Sequence, residues 1–175
     1  MHIKNVEFKA KVDEIDSYEQ KLLQLKPVFR GTDEQVDTYF NVPKGRLKLR
    51  EGNIESALIN YERENIPDSK LSNIVLYKHQ PDKALKDILT YQFGIKIIVK
   101  KKRKIYFIDN VKFHFDVVEH LGTFLEVEAI DSEEKFTIEE LKDQCNNYFR
   151  FFELEETSLI DKSYSDLIYL IKLNQ

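Results

Sequence analysis

The chain has 175 residues, of which 42% are hydrophobic and 33% charged, and its net charge is −4. This length suits one well-buried domain over residues 1–175, and the acidic balance argues against general nucleic-acid binding. The single cysteine, Cys145, excludes an internal disulfide, and no Cys/His cluster offers a zinc site. Without an apolar signal region or a run that could span a membrane, we expect a cytoplasmic protein with no membrane partner.

In chain order, the sequence predicts a strand over residues 3–12, a helix ended by Pro27, extended segments over 28–42, and strands over 46–51 and 57–63. After a polar loop over 64–70 come a strand over 72–79, a helix from Asp82 to Gly94, and strands over 95–108, 111–118 and 123–130. A helix from the capping-box residue Thr137 to about Phe149 and an amphipathic helix from Ser163 onward follow. The prediction is an α+β chain of about eight mostly antiparallel strands.

Charged side chains alternate with apolar ones along several strands, so that each strand has one charged face. Glu7 and Lys9 share a face of the first strand, and later strands carry Arg46, Lys48 and Arg50, or Glu126 and Glu128. These faces either meet solvent, as one side of an antiparallel sheet often does, or line a polar tunnel inside a closed barrel with helices packed outside. Surfaces usually intersperse both signs, so the segregation of sign by strand weakens the solvent interpretation.

The acidic group comprises Glu7, Glu126 and Glu128. Magnesium prefers oxygen ligands and commonly binds through one or two carboxylates together with substrate phosphates. These carboxylates can converge on such a site only if the sheet closes. The alternative is cross-strand pairing with basic residues, which contributes less than about 1 kcal/mol when exposed.

The basic group could neutralise a triphosphate together with a cation. Its members are Lys48, Arg50, Arg63, Lys78, Lys101 and Arg103. Within the run 100–104 only one alternating set can face a site, and we favour Lys101 and Arg103. The alternatives are a solvated strand face and a nucleic-acid patch.

Three further residues lie on polar strand faces. Asp116 shares a face with His114 and could serve as a second carboxylate of the site, orient a tunnel arginine, or simply pair within the sheet. Tyr39 and Tyr61 share faces with polar residues and could touch a ligand. The four histidines form no catalytic or metal-ligand grouping, so we assign them no catalysis.

Residues 5–11, Asn-Val-Glu-Phe-Lys-Ala-Lys, resemble the opening ExExK strand of the CYTH superfamily, the triphosphate tunnel enzymes. The resemblance continues in order through segments 35–40, 45–51, 58–63, 101–103, 115–128 and 163–167. Each segment is weak alone, but the series covers nearly the whole chain. Within the superfamily the sequence is most similar to the class IV adenylyl cyclase branch.

The resemblance implies a closed antiparallel β-barrel whose tunnel binds a triphosphate with Mg²⁺ or Mn²⁺. It gives the metal role to Glu7, Glu126 and Glu128, the phosphate role to Lys9, Lys48, Arg50, Arg63, Lys101 and Arg103, and catalysis to Lys9 and Arg63. Lys78 joins the phosphate group from the charge pattern alone. We expect Asn5, Tyr39, Tyr61 and Asp116 to support these residues. Asn5 replaces the first Glu of the motif, so one ligand charge is missing.

The functional expectation is a metal-dependent enzyme acting on a triphosphate, with adenylyl cyclase-like conversion of ATP to cyclic AMP and pyrophosphate first. The alternatives are an inorganic or organic (thiamine) triphosphatase, and a non-catalytic sensor of nucleotide or polyphosphate, which Asn5 keeps open. The expected partner is therefore a nucleoside triphosphate or polyphosphate. The oligomeric state stays open, with a homodimer as one option.

Overall fold

The computed structural model describes residues 2–63 and 70–173, except for the side chains of residues 2, 63 and 70–73. Its strands are β1 (His2–Lys11), β2 (Val28–Phe40), β3 (Arg46–Glu51), β4 (Ala57–Arg63), β5 (Lys70–Lys78), β6 (Ile95–Ile108), β7 (Val111–Val118) and β8 (Gly122–Asp131). Its helices are α1 (Ile15–Leu23), α2 (Lys83–Phe93), α3 (Ile138–Phe151) and α4 (Tyr164–Leu173), with a 3-10 turn at Glu156–Ser158.

The eight strands close into one antiparallel barrel in the order β1-β5-β4-β3-β2-β6-β7-β8. The pairing of β1 with β8, which places Glu7 opposite Glu128, closes the sheet on one side. The pairing of β2 with β6, which places Asp33 opposite Arg103, joins the two halves on the other. The closed barrel predicted from the sequence is confirmed.

The hydrophobic core lies outside the barrel, between its outer face and the helices. The side chains of Val6, Phe113 and Leu125 point outward and are fully buried under α1 and α3, where they meet Leu22 and Leu141. Burying a side chain of this size contributes about 1.5–3 kcal/mol. Because these apolar residues of β1, β7 and β8 point outward, the charged residues that alternate with them must point into the barrel.

The other two helices cover the rest of the outer surface in the same way. Ile168 of α4 packs on Val99 and Phe124, and Leu89 of α2 packs on Phe40 and Leu49. Within the described residues, no helix has the length and apolarity that crossing a bilayer requires.

Several predicted boundaries need adjustment. The first helix ends at Leu23, ahead of Pro27, and its N-cap is Glu14, whose side chain makes no capping hydrogen bond. The capping box of Thr137 and Glu140 is present, and α3 continues to Phe151. Residues 64–69 of the predicted polar loop, and the side chain of Arg63, lie outside the described residues.

Candidate functional site

The barrel encloses a cavity of about 750 Å³. It is lined by alternating residues from all eight strands, by the loop over residues 52–56, and by the start of α4. The lining includes these residues singled out in the sequence: Asn5, Glu7, Lys9, Tyr39, Lys48, Arg50, Tyr61, Lys78, Lys101, Arg103, Glu126 and Glu128. Strands far apart in the sequence therefore bring their charged faces to one place.

The carboxylates gather on β1 and β8. The strand register places Glu7 beside Glu128 and Lys9 beside Glu126. Glu126 is the more compensated of the two glutamates on β8, since Lys9 Nζ lies 3.1 Å and Arg103 Nη2 3.4 Å from its carboxylate. Glu128 has Glu7 opposite it on β1 and Glu126 two residues away, while Lys112 is its neighbour on β7.

These neighbours shift the pKa values of Glu126 and Glu128 in opposite directions. Burial alone would raise the pKa of Glu126, but Lys9 and Arg103 outweigh burial and hold this pKa well below its usual range. Burial and the charge of Glu126 raise the pKa of Glu128 to about 8. The site thus keeps one glutamate ionised and disfavours a second negative charge unless a cation is near.

His114 of β7 joins this acidic group, so the prediction that no histidine takes part in a metal-ligand grouping is wrong for this residue. Its Nδ1 lies 3.1 Å from Glu126 Oε1 and 3.9 Å from Glu128 Oε1. Burial, together with Arg103 and Lys112, lowers the pKa of His114 to about 3, so its imidazole is neutral at neutral pH. A neutral imidazole can offer a nitrogen lone pair to a metal ion.

The cations on β3 and β6 gather around one buried carboxylate, Asp37 of β2. Arg50 binds Asp37 through two hydrogen bonds of 2.8 Å. Lys101 Nζ lies 2.8 Å and Lys48 Nζ 3.3 Å from Asp37 Oδ2. Burial would raise the pKa of Asp37, but Arg50, Lys101 and Lys48 hold it well below its usual range. One anion thus orients three cations toward the cavity.

Lys101 is buried beside other cations, and its pKa falls as a result. Burial lowers its pKa to about 7; Asp37 opposes this shift, while Arg50, Arg103 and Lys48 add to it. Three cations around one carboxylate leave a surplus of positive charge, which an anionic ligand would relieve.

Arg103 is held from behind by Asp116 of β7. Its Nε and Nη2 donate to the two carboxylate oxygens at 2.7 and 2.5 Å, and the Tyr164 hydroxyl donates to Asp116 Oδ2 at 2.8 Å. Asp116 is fully buried and does not line the cavity. The Tyr164 ring faces the cavity, with Lys9 Nζ 4.1 Å from its centroid. Asp116 and Tyr164 therefore position cations that the cavity presents.

Tyr39 and Tyr61 flank Lys48, whose Nζ lies 5.6 Å from the centroid of each ring.

Lys78 lines the cavity from an exposed position at the end of β5. Arg63 ends β4, and its backbone pairs with Ser72.

One side of the cavity is aliphatic. Ile3 lies opposite Ile74 in the pairing of β1 with β5, and Ile59 lies opposite Leu76 in the pairing of β4 with β5. Ile130 of β8 adds to this surface, and all five side chains line the cavity. Because β8, β1, β5 and β4 are consecutive around the barrel, these residues form an aliphatic wall on the side opposite β2 and β6, of which β6 carries Lys101 and Arg103.

The basic run 100–104 divides between the two faces of β6. Lys101 and Arg103 are buried inside the barrel, whereas Lys100 and Lys102 are exposed. Lys104 points outward and pairs with Glu19 of α1 at 2.5 Å. The outward lysines therefore do not contribute charge to the cavity.

Sequence reasoning missed Asp37, Glu55, Lys112 and His114 as cavity residues. Asp37 lies two residues from Tyr39 on β2, and Lys112 and His114 lie four and two residues from Asp116 on β7. Residues at these spacings share a strand face, so period-two alternation could have found these three. Glu55 lies in the loop between β3 and β4, where no periodicity applies.

The donor set fits a divalent cation. One ligand atom each from His114, Glu126 and Glu128 lies within 4.8 Å of the others, and Glu7 is the cross-strand neighbour of Glu128. Asn5 Oδ1 is buried and accepts no hydrogen bond from any residue whose side chain is described. Carboxylate and amide oxygens suit Mg²⁺ or Mn²⁺, and an imidazole nitrogen suits the transition metal better.

Comparisons with known proteins agree with this geometry. The model of the CYTH domain family matches residues 4–164, and no curated protein matches the chain significantly. The PH1012 protein from Pyrococcus horikoshii OT3 is 28% identical with a TM-score of 0.80, over 93% of this chain and 98% of that chain.

Two further structures share the fold. A candidate adenylate cyclase from Vibrio parahaemolyticus is 17% identical with a TM-score of 0.76, over 94% of this chain and 97% of its own. A candidate adenylyl cyclase from Hippeastrum with a dominant triphosphatase activity is 13% identical with a TM-score of 0.60, over 87% of this chain and 88% of its own.

Proposed function

The chain belongs to the CYTH domain family, as its sequence motifs predict, and we propose that it is a divalent-metal-dependent enzyme that acts on a triphosphate. The observation that carries the proposal is the pair of adjoining charge clusters in one cavity: Arg50, Lys48 and Lys101 around Asp37, and the carboxylates of β1 and β8. A triphosphate with its cation matches this arrangement of charges.

The cations would hold the phosphates. Arg50 and Arg103 already have their guanidinium groups oriented by carboxylates, so little conformational entropy is lost when they bind. Lys9, placed between Glu126 and the Tyr164 ring, is the residue to which we assign neutralisation of charge on the reacting phosphoryl group. The catalytic role proposed for Arg63 rests on the sequence motif, and the phosphate role of Lys78 on the charge pattern and its place in the cavity.

Glu7, Glu126 and Glu128 would hold Mg²⁺ or Mn²⁺, with His114 beside them. The bound cation would neutralise negative charge on the phosphate oxygens. Asn5 would contribute an uncharged oxygen where the family motif has a glutamate.

Among triphosphates, we favour one that carries an organic group. The aliphatic wall formed by Ile3, Ile59, Ile74, Leu76 and Ile130 lies across the barrel from Lys101 and Arg103 of β6. An inorganic chain gains nothing from such a surface, whereas a purine would bury apolar area against it. We therefore propose a class IV adenylyl cyclase-like reaction, in which the 3′-hydroxyl of ATP attacks the α-phosphorus and pyrophosphate leaves.

The second candidate is hydrolysis of a triphosphate by water, which uses the same cations. The dominant triphosphatase activity of the Hippeastrum protein, which shares this fold, supports it. The two reactions differ in how the organic group is oriented, since both need the phosphates fixed in line with the nucleophile.

The metal assignment is tested by Glu126→Gln and Glu128→Gln. We expect both variants to lose most of the Mg²⁺ or Mn²⁺ dependence of ATP binding, because each removes a charged ligand from the cluster. Calorimetric titration of ATP with and without metal gives the measurement, and Glu133→Gln, an exposed residue after β8, is the control. An unchanged metal response in both β8 variants would reject the assignment.

A further inference from the structure

The loop between β3 and β4 is fixed against β2 by a buried aspartate. Asp33 is fully buried, and its carboxylate accepts hydrogen bonds from the backbone N–H groups of Ile54 and Glu55 at 2.8 and 3.0 Å. Gln35 Nε2 donates to the same carboxylate at 2.7 Å. A loop whose backbone is held by a buried charge has a defined conformation.

Two more residues constrain the same loop. A Cβ at Gly52 would lie 2.6 Å from Asp33 Oδ1, so the close approach of the loop to Asp33 requires glycine. Asn53 accepts from the backbone N–H of Glu34 at 2.6 Å and donates to the carbonyl of Thr32 at 3.1 Å. The loop is therefore tied to β2 along its length.

This fixed loop places the carboxylate of Glu55 inside the cavity. Glu55 Oε2 lies 3.2 Å from Arg50 Nη1, and Oε1 lies 2.5 Å from Lys112 Nζ. Arg50 belongs to β3 and Lys112 to β7, which are separated around the barrel by β2 and β6. Glu55 thus bridges cations from two different parts of the wall.

The cations around Glu55 favour its ionised form. Burial alone would raise its pKa, but Lys112 and Arg50 outweigh burial and hold the pKa well below the usual range. The Glu55 carboxylate contacts Arg50 and Lys112 in the same way as a phosphate group would. Because it is attached to a rigid loop, it competes with any ligand at a high effective concentration.

We propose that Glu55 is a specificity-determining residue that limits how many phosphates the cavity accommodates, by occupying the anion subsite formed by Arg50 and Lys112. The inference rests on the proposed function, since it assumes that the other cations bind phosphates. A short chain binds to Lys48, Lys101, Arg103 and the N–H groups of Arg50 that Glu55 leaves free, since Glu55 contacts only Nη1. It therefore does not reach the subsite between Arg50 Nη1 and Lys112. Each additional phosphate moves closer to the Glu55 carboxylate and meets its repulsion, or must displace it.

The test is calorimetric binding of pyrophosphate, tripolyphosphate and tetraphosphate, each with Mg²⁺, to the wild-type protein and to Glu55→Gln. We expect Glu55→Gln to tighten binding, and the gain to grow with chain length to about tenfold or more for tetraphosphate. The matched control is Glu51→Gln, which removes the same charge from the end of β3 but pairs with Lys86 of α2 and does not line the cavity. Its affinities should equal those of the wild type.

A double variant identifies the freed cation. In Glu55→Gln/Lys112→Met the gain for tetraphosphate should largely disappear, because Lys112 is one of the two groups that Glu55 occupies. Glu55→Ala gives a second variant, and thermal unfolding checks that each protein is folded.

The outcomes separate this inference from the proposed function. Affinities in Glu55→Gln that are unchanged, weaker, or equally improved for all three ligands would overturn the inference and leave the proposed function standing. A gain that persists without Lys112 would also overturn it. A wild-type protein that binds none of the three phosphates would overturn both.

Discussion

Individual residues of this cavity are organised by buried carboxylates that hold cations in place. Asp37 lines the cavity between Arg50, Lys48 and Lys101, whereas Asp116 lies behind Arg103. Because these carboxylates are nearly inaccessible to solvent, their ion pairs are screened little by salt. The cations are therefore preorganised, and each substitution has a specific expected result.

Arg50→Ala should weaken binding of a triphosphate by about ten- to a hundredfold, since a charge-assisted contact contributes about 1.5–3 kcal/mol. Titration with tripolyphosphate and Mg²⁺ measures the effect. Lys102→Ala is the control: Lys102 is exposed on the outer face of β6, and its loss should change the affinity by less than about twofold. Equal effects of the two substitutions would contradict the assignment of Arg50 to the ligand.

Binding should also depend on pH through Lys101. Its pKa of about 7 means that the free protein loses this proton as the pH rises through 7, while a bound anion favours the protonated form. Binding of tripolyphosphate without metal, measured by titration, should therefore take up a proton and weaken from pH 7 to pH 9, by up to about tenfold per pH unit. In Lys101→Arg the side chain stays charged throughout, so this variant should show a flatter profile. Parallel profiles for the two proteins would exclude Lys101 as the titrating group.

The sequence predicts which strand residues share the inner face of the barrel, but it does not predict which side chains they contact. Period-two alternation identifies Lys9, Arg50 and Arg103 as sharing one type of face, because the side-chain period of a strand is fixed by its geometry. It does not reveal which carboxylate orients each cation, since this depends on how β2, β6 and β7 pair. The contacts of Glu55 depend on the conformation of a loop, for which charge periodicity carries no information.

At the scale of elements, the helices both cover the barrel and support the cavity. Helix α4 shows both functions: Ile168 packs in the outer core, while Tyr164 reaches through to Asp116 and lines the cavity. The sequence predicts the helix from its apolar stripe. The stripe does not distinguish the core residue Ile168 from Tyr164, because both occupy the buried face.

Tyr164→Phe tests this link between α4 and the cavity. The substitution removes the hydroxyl that donates to Asp116, and we expect it to lower the free energy of unfolding by about 1 kcal/mol. Tyr169→Phe is the control on the same helix, since Tyr169 is 46% exposed. Removing its hydroxyl should lower the free energy of unfolding by less than about 0.5 kcal/mol. Urea unfolding at a constant m-value measures both. A loss for Tyr169→Phe as large as that for Tyr164→Phe would contradict the proposed support.

At the scale of the whole molecule, barrel closure converts alternating strands into a site. An open sheet would leave the charged faces in solvent, where pairs of this kind contribute little. Closure brings Glu7 beside Glu128 and places Arg50 and Arg103 around one cavity, although about fifty residues separate the two arginines in the sequence. The repetition of like charges along single strands favours closure over a solvated face, and the family resemblance implies it. The aliphatic wall could not be predicted, because its isoleucines resemble ordinary core residues until the register of β1, β4, β5 and β8 is known.

The central claim is that this cavity performs metal-dependent chemistry on a triphosphate, and analysis of reaction products tests it most directly. The protein is incubated with ATP, tripolyphosphate or thiamine triphosphate, each with Mg²⁺, with Mn²⁺ and with a chelator. The predicted result is cyclic AMP with an equal amount of pyrophosphate from ATP, formed only with metal. Metal-dependent orthophosphate would instead identify a triphosphatase with the same site. No metal-dependent product from any of the three substrates would contradict the claim that the protein is an enzyme.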